Sequence, residues 1–339
     1  MATAQDAHAS FIKEKGRFTL HRRNSSRSLS QAKDLKQRQE QSLLLEKGYR
    51  VDGEGQRDDE FGRLLSWNDI EPWQQDNEFI HSGYRPATAS LRDCIQSLGY
   101  LHNETVNIYS HICGAMLFSI LPVYIYITLI PRYIQADTGD LVVFTMFFSG
   151  VSICFMLSAL YHTLASHSEA ISAFGNQLDH LGIVILMWGS TIPTIYYGFY
   201  CNETLQHVYW SVTTVLSIIS AVATMDPRFR NPALRPFRAA MYVALGCSAL
   251  AFIAHSVYLY GWELQSHRMS LEWMGIMAFL NLVGAVAYAT RMPERLLPAC
   301  YDFVGGSHQI MHFMVIFAAM AHLVGLLKAF DFVHDFPAC

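Results

Sequence analysis

Residues 141–163, LVVFTMFFSGVSICFMLSALYHT, form an unbroken run without Asp, Glu, Lys or Arg. A helix that rises ~1.5 Å per residue needs about 20 apolar residues to cross ~30 Å of hydrocarbon, and this run is long enough. Only helices and closed barrels satisfy their backbone hydrogen bonds in lipid, and the run is too long and too uniformly apolar for a barrel strand. It is therefore predicted to be a transmembrane helix.

Six similar runs lie on either side of it, each of about twenty residues. They are 106–130, 181–200, 205–225, 239–262, 273–290 and 303–327. The chain of 339 residues is 52% hydrophobic and 15% charged, whereas a soluble domain carries about 25% charged residues. The sequence predicts an all-α membrane protein, a bundle of seven transmembrane helices.

The positive charges predict the orientation, because cytosolic loops of membrane proteins carry an excess of Lys and Arg. With a cytosolic N-terminus, 21 of the 24 Lys and Arg fall on the cytosolic side, and only Arg132, Arg268 and Lys328 lie outside. The N-terminus is therefore predicted inside and the C-terminus outside. This orientation puts Cys201 and Cys339 on the same outer side, and a disulfide between them is left open.

The composition also divides the chain into segments. Residues 1–60 are rich in Ser, Gln, Lys and Arg and poor in aromatics, which is typical of a disordered tail. From residue 61 onward, aromatic side chains such as Trp67 and Trp73 alternate with charges, which indicates an ordered segment next to the membrane. The predicted order is a cytosolic tail (1–60), a membrane-proximal segment (61–105), a transmembrane domain (106–330) and a short outer tail (331–339).

Five polar side chains are predicted near the cytosolic ends of three of these helices: Ser158, His162, Asp179, His308 and His312. Such side chains are expensive inside a bilayer and indicate a functional site. Histidines at i and i+4 face the same way, and a third from a neighbouring helix completes a set that leaves Zn²⁺ one position open for water. Asp179 would then hydrogen-bond that water or an imidazole, and Ser158 would donate to a substrate carbonyl.

Other histidines have a simpler interpretation. A lone histidine in a membrane helix is most often a packing or interhelical hydrogen-bond residue, and His111, His255 and His322 are interpreted in this way. His322 lies ten residues beyond His312, roughly 15 Å along a helix, and so cannot share its metal ion. Spacing and topology alone do not decide between a metal site and packing for the other three histidines.

Three strings of sequence carry a family resemblance. They are Ser158-Ala-Leu-Tyr-His162-Thr, Leu178-Asp179-His-Leu-Gly182 and Ser307-His308-Gln-Ile-Met-His312. These strings resemble the signatures of the adiponectin/progestin receptor (PAQR) family, which includes fungal Izh proteins and bacterial hemolysin III-like proteins. The resemblance extends over about residues 76–328, and the basic tail and the run around Glu104 look more like the fungal members than the animal receptors.

The resemblance implies a seven-helix fold inverted relative to G-protein-coupled receptors, with Zn²⁺ bound by His162, His308 and His312. It further implies that Asp179 orients the zinc-bound water and that Ser158 accompanies the site. The same pattern of Ser, Asp and three His marks a wider superfamily that contains alkaline ceramidases, which hydrolyse an amide in a lipid. A fungal member would have no adiponectin to bind, so the extracellular ligand is not carried over.

Two functions remain open at this point. The first is a zinc-dependent lipid amidase, in which Zn²⁺ activates a water to attack a ceramide-like carbonyl. The second is a receptor or sensor of lipid and zinc homeostasis in which the zinc is structural. A channel or zinc transporter is disfavoured because the polar residues gather at one end. The expected partners are ceramide-like or sphingoid-like membrane lipids, with no nucleic acid. The expected location is the plasma membrane or the endoplasmic reticulum, and homo-oligomerisation is left open.

Overall fold

The computed structural model describes residues 62–128, 136–230 and 235–336. The tail predicted over residues 1–60 and the cysteine Cys339 lie outside the described residues. Within the described part there is no strand, and seven helices are long and apolar enough to cross a membrane. The prediction of an all-α bundle of seven transmembrane helices is confirmed.

Ten α-helices follow one another in the described residues. They are α1 (Leu91–Gln96), α2 (Thr105–Thr128), α3 (Thr138–Leu164), α4 (Glu169–Gly198), α5 (Glu203–Met225), α6 (Arg235–Cys247), α7 (Ala249–Tyr260), α8 (Trp262–Arg268), α9 (Leu271–Thr290) and α10 (Ser307–Asp335). The fifth membrane span, Ala240–Tyr260, is formed by α6 and α7 together. Helices α1 and α8 are too short to cross a bilayer.

Two of the spans are longer than the apolar runs that predicted them. Helix α4 begins at Glu169 rather than near residue 181, which places Asp179 in about the third turn instead of at the start. Helix α10 continues to Asp335, so the segment predicted as an outer tail, 331–339, begins within a helix. The reason is physical: a charge-free run marks the part of a helix that faces hydrocarbon, whereas the helix itself continues to its capping residues.

Helices α3 and α4 pack closely through glycines. A Cβ atom at Gly182 would lie 3.0 Å from the Cα of Cys154, and one at Gly189 would lie 2.6 Å from the carbonyl oxygen of Met146. Small residues at such contacts allow two backbones in a membrane to approach. The close approach brings Asp179, one turn before Gly182, beside the end of α3 that carries Ser158.

Helices α3 and α10 form the centre of the bundle. In the apolar part of α3, 50% of the residues are buried. The share is 44% in α10 but only 11% in α9. Aromatic side chains fill the middle of the bundle: Phe118 of α2, Phe144, Phe147 and Phe155 of α3, and Phe330 of α10. The helices that carry the predicted site are therefore the ones that packing holds most firmly.

The segment before α2, residues 62–104, packs against the end of the bundle where α3 ends and α10 begins. We call this the histidine end. The guanidinium of Arg85 is buried, and it donates to the carbonyl oxygens of His162 (2.6 Å) and Thr163 (2.9 Å). Carbonyls in the last turn of a helix have no partner within the helix. The segment thus caps α3 directly behind a predicted metal ligand.

Candidate metal centre

Three histidines from α3 and α10 converge at the histidine end. Ligand nitrogens of His162, His308 and His312 all lie within 4.8 Å of one another. The centroids of the rings are 4.9–5.0 Å apart. His308 and His312 stand one turn apart on α10, as their spacing predicts, and His162 comes from the last turn of α3. The structure brings the three predicted ligands together.

The hydrogen bonding of these rings tests whether a cation fits between them. The Nε2 atoms of His162 and His308 are buried and have no hydrogen-bond partner. A buried polar atom left without a partner costs about 1–3 kcal/mol. Imidazole lone pairs cannot satisfy one another, but a single cation can satisfy all of them. Three imidazole nitrogens are the donor set of open zinc sites, so the residues present fit Zn²⁺.

The two other predicted site residues lie beside this cluster without belonging to it. Ser158 is 2% exposed and sits one turn before His162 on α3. Asp179 is half-buried on α4, one turn before Gly182, which packs against Cys154 of α3. Their participation in the site and their chemical roles remain predictions.

The prediction missed the polar face of α2 and the residue just before it. The Oε2 atom of Glu104 accepts a hydrogen bond from Nδ1 of His162 at 2.7 Å and another from Nδ2 of Asn107 at 2.6 Å. The hydroxyl of Ser110 lies 3.3 Å from Nδ1 of His312. Burial alone would raise the pKa of Glu104, but the adjacent His162 and Asn107 lower this pKa well below its ordinary value. The three-residue spacing of Glu104, Asn107 and Ser110 was the available signal, because such positions share a helix face.

The three histidines interpreted as packing or hydrogen-bond residues divide into two kinds. His255 shares a hydrogen bond of 2.7 Å with the hydroxyl of Tyr209, and Nε2 of His322 donates to the carbonyl of Ser190 at 3.0 Å. Both fit the interhelical hydrogen-bond interpretation. His111 differs: it is buried, its ring stacks on that of His312 with centroids 3.7 Å apart, and neither nitrogen has a hydrogen-bond partner. It therefore belongs to the surroundings of the histidine cluster.

The loop between α9 and α10 fixes the start of the helix that carries two of the histidines. The carboxylate of Glu294 is 1% exposed and accepts from the backbone N–H of Ser307 at 2.8 Å and from the Ser307 hydroxyl. It also accepts from Nδ2 of Asn77 in the N-terminal segment at 3.0 Å. An anion at a helix N-terminus satisfies free N–H groups and the helix dipole. The position of His308, the next residue, follows from this cap.

The fold and the site define a multi-pass membrane protein with a buried three-histidine cluster at one end of a seven-helix bundle. A family model described as "Haemolysin-III related" matches residues 99–323. The chain belongs to this family. This confirms the family membership that the resemblance to adiponectin/progestin receptors predicted.

Three relatives show how far the similarity extends. The "Adiponectin receptor protein" of Drosophila melanogaster is 38% identical over 264 residues, which cover 78% of this chain and 59% of that protein. The "ADIPOR-like receptor IZH2" of Saccharomyces cerevisiae is 37% identical over 273 residues, covering 80% and 86%. The "Heptahelical transmembrane protein 3" of Arabidopsis thaliana is 30% identical over 312 residues, covering 82% and 90%. The chain thus spans less than two thirds of the fly protein.

Proposed function

We propose that this protein is a zinc-dependent hydrolase of membrane-lipid amides of the ceramide type, with the ion held by His162, His308 and His312. The observation that carries the proposal is the pair of buried Nε2 atoms without hydrogen-bond partners, in a cluster whose ligand nitrogens lie within 4.8 Å. Three histidines leave one coordination position open, as in catalytic zinc sites. Zn²⁺ bound there would supply Lewis-acid chemistry and lower the pKa of water.

The protein's own residues have distinct tasks in the proposed reaction. Water adds to the amide carbonyl carbon, the C–N bond breaks, and a fatty acid and a free amine are released. Asp179 accepts a proton from the attacking water and returns it to the departing amine. Ser158 donates a hydrogen bond to the carbonyl oxygen, where negative charge develops. Ser158 lies one turn before His162 on α3, and Asp179 lies on α4, which packs closely against α3.

We further propose that the histidine end faces the cytosol. The distribution of 21 of 24 Lys and Arg supports this orientation. A second observation agrees with it: Cys201, at the opposite end of α4, is disulfide-bonded. Disulfides persist in oxidising compartments and are rare in the cytosol. Because Cys339 lies outside the described residues, the pairing of these two cysteines is still left open.

A non-enzymatic receptor or sensor with a structural zinc is the second candidate. It is favoured by the names of relatives, since the fly and yeast proteins are called an adiponectin receptor and an ADIPOR-like receptor. In that case the three histidines hold the ion only to fasten α3 to α10, and Asp179 has no proton to accept.

The test is to assay purified full-length protein against a panel of ceramides by mass spectrometry, with zinc measured on the same sample. We expect about one Zn²⁺ per chain and release of free sphingoid base. Asp179→Asn should keep its zinc and lose at least 10–100-fold in turnover, because an amide cannot accept the proton. Ser158→Ala should also keep its zinc and react more slowly.

Asp335→Asn is the matched control, because Asp335 is exposed at the far end of α10 and should leave turnover unchanged. Unchanged hydrolysis in Asp179→Asn and Ser158→Ala would remove both residues from the mechanism. Zinc-loaded protein that hydrolyses no ceramide in the panel would favour the receptor instead.

A further inference from the structure

The hydrogen bond between Glu104 and His162 fixes which nitrogen of the imidazole carries a proton. An ionised carboxylate can only accept, so Nδ1 of His162 must donate across the 2.7 Å contact. Its Nε2 then carries the lone pair, and this is the buried atom without a protein partner. The side chain of Glu104 is 27% exposed, and its Oε2 atom accepts the hydrogen bond from this ring.

Ser110 fixes the second ring in the same way. Its single hydroxyl hydrogen is donated to the backbone carbonyl of Asn107 at 3.1 Å. The oxygen can therefore only accept from Nδ1 of His312, which lies 3.3 Å away. His312 then also presents the lone pair of Nε2. Two rings from two different helices thus take the same tautomer, one set by Ser110 of α2 and the other by Glu104, the residue just before α2.

We propose that Glu104 and Ser110 are positioning residues of the metal centre, which hold His162 and His312 with Nε2 directed at the ion. This inference rests on the proposed zinc site and adds to it the residues that hydrogen-bond to its ligand histidines. A ring N–H given to a carboxylate fixes the orientation of a ligand histidine and makes it a stronger donor, and loss of such partners costs 10–100-fold in metal affinity. Glu104 therefore contributes most and Ser110 less.

The placement of Glu104 depends in turn on the N-terminal segment. Its backbone N–H donates to Nδ1 of His102 at 3.1 Å, and the N–H of Asn103 donates to the carbonyl of Gly83 at 2.9 Å. Asn107 holds the carboxylate from the other side at 2.6 Å. These hydrogen bonds within the protein hold the carboxylate in place, as preorganisation of a binding site requires.

The experiment measures Zn²⁺ affinity of the purified full-length protein by competition with a chelating dye, so it does not depend on hydrolysis. Glu104→Ala should weaken zinc binding 10–100-fold. Glu104→Gln keeps an oxygen that can accept from Nδ1 and should recover part of this loss. Ser110→Ala should weaken binding by a smaller factor. The visible absorption of bound Co²⁺ should change in Glu104→Ala, because a freed imidazole alters the coordination geometry.

Two control variants separate positioning from folding. Glu203→Ala removes an exposed carboxylate at the other end of the bundle. Ser119→Ala removes another serine of α2 whose hydroxyl bonds to a neighbouring helix, in this case to Ser152 of α3 (3.3 Å). Neither should change zinc affinity, and the thermal stability of the zinc-free proteins is measured alongside.

The outcomes distinguish this inference from the function on which it rests. Parent protein that binds no zinc overturns the proposed function and the inference with it. Parent protein that binds zinc while Glu104→Ala binds it equally tightly overturns the inference alone. Equal affinity losses in Glu104→Ala and Glu104→Gln, with matching losses of zinc-free stability, would assign Glu104 to folding and also overturn it.

Discussion

Helices α3 and α10 carry a buried polar cluster at each end of the bundle, and the two clusters combine their side chains in opposite ways. At the end away from the histidines, Asp140 of α3, Tyr197 of α4 and His334 of α10 satisfy one another. The Tyr197 hydroxyl donates to Oδ1 of Asp140 at 2.8 Å, and Nε2 of His334 donates to its Oδ2 at 3.0 Å. Acid, phenol and imidazole are complementary, and both oxygens of Asp140 have partners within the protein, so we call this the closed cluster.

The histidine end places like groups together instead. His162, His308 and His312 all present ring nitrogens, and two of these remain buried without a protein partner. The bundle therefore carries one cluster whose groups pair with one another and one cluster of like groups that could hold a cation. The comparison teaches that buried polarity alone does not mark a site, since both ends have it. A group of like side chains that meet with buried atoms left without partners does.

Removing two ligands should give the largest difference between the ends. His308→Ala/His312→Ala leaves one of three imidazoles, and bound zinc should fall from about one per chain to near zero, with lower stability in consequence. His334→Ala is the control, because it removes a histidine of the same helix from the closed cluster and should retain zinc. Metal analysis of both purified variants checks this. Stoichiometric zinc in the double variant would exclude these two residues as ligands.

Breaking the closed cluster should have the next largest effect, and on stability rather than on metal. Asp140→Ala leaves His334 and Tyr197 without their shared acceptor at a fully buried position. Removal of one partner from such a pair costs roughly 3–5 kcal/mol. Unfolding of the zinc-free protein in detergent measures the loss, while zinc content per folded chain should stay unchanged. A variant as stable as its parent would show that these hydrogen bonds do not stabilise the fold.

The sequence predicted those parts of the molecule that follow from local composition. Apolar runs predict the seven spans, and the spacing of His308 and His312 predicts that they share a face. Charges were treated as breaks between runs, and this hid Asp140, which lies one residue before the run 141–163 and is fully buried. A charge whose partners come from distant helices cannot be distinguished from a loop residue in one sequence.

The residues that hydrogen-bond to the histidines and to the start of α10 were missed for a related reason. Glu104 lies one residue before α2, in a stretch that reads as polar and membrane-proximal. The cap at Glu294 depends on Asn77, 217 residues away in the chain. Such contacts arise only after the N-terminal segment has packed on the bundle, and no local pattern encodes them. The grouping of the three histidines could be predicted because two of them are neighbours on one helix.

The histidine end should also make the stability of the protein depend on pH, and this effect is smaller than the previous two. His102 of the N-terminal segment is fully buried, and burial together with the nearby Arg85 lowers its pKa from 6.5 to about 3. Folding therefore favours the neutral ring. Its contribution to stability is fully present above pH 6.5 and is lost as the pH falls from 6.5 toward 3. At pH 5 the loss amounts to about 2 kcal/mol, since one pKa unit corresponds to ~1.4 kcal/mol.

His102→Asn keeps an acceptor for the backbone N–H of Glu104 but cannot titrate, so it should be less sensitive to acid than its parent by this amount. Unfolding in detergent at pH 7 and pH 5, with metal removed by chelation, gives the comparison. Chelation matters because the ligand histidines would otherwise add the protonation that accompanies metal release. His207→Asn, at an exposed position on α5, should keep the full sensitivity of the parent. If His102→Asn loses as much stability on acidification as the parent, the buried ring is not what makes the histidine end sensitive to pH.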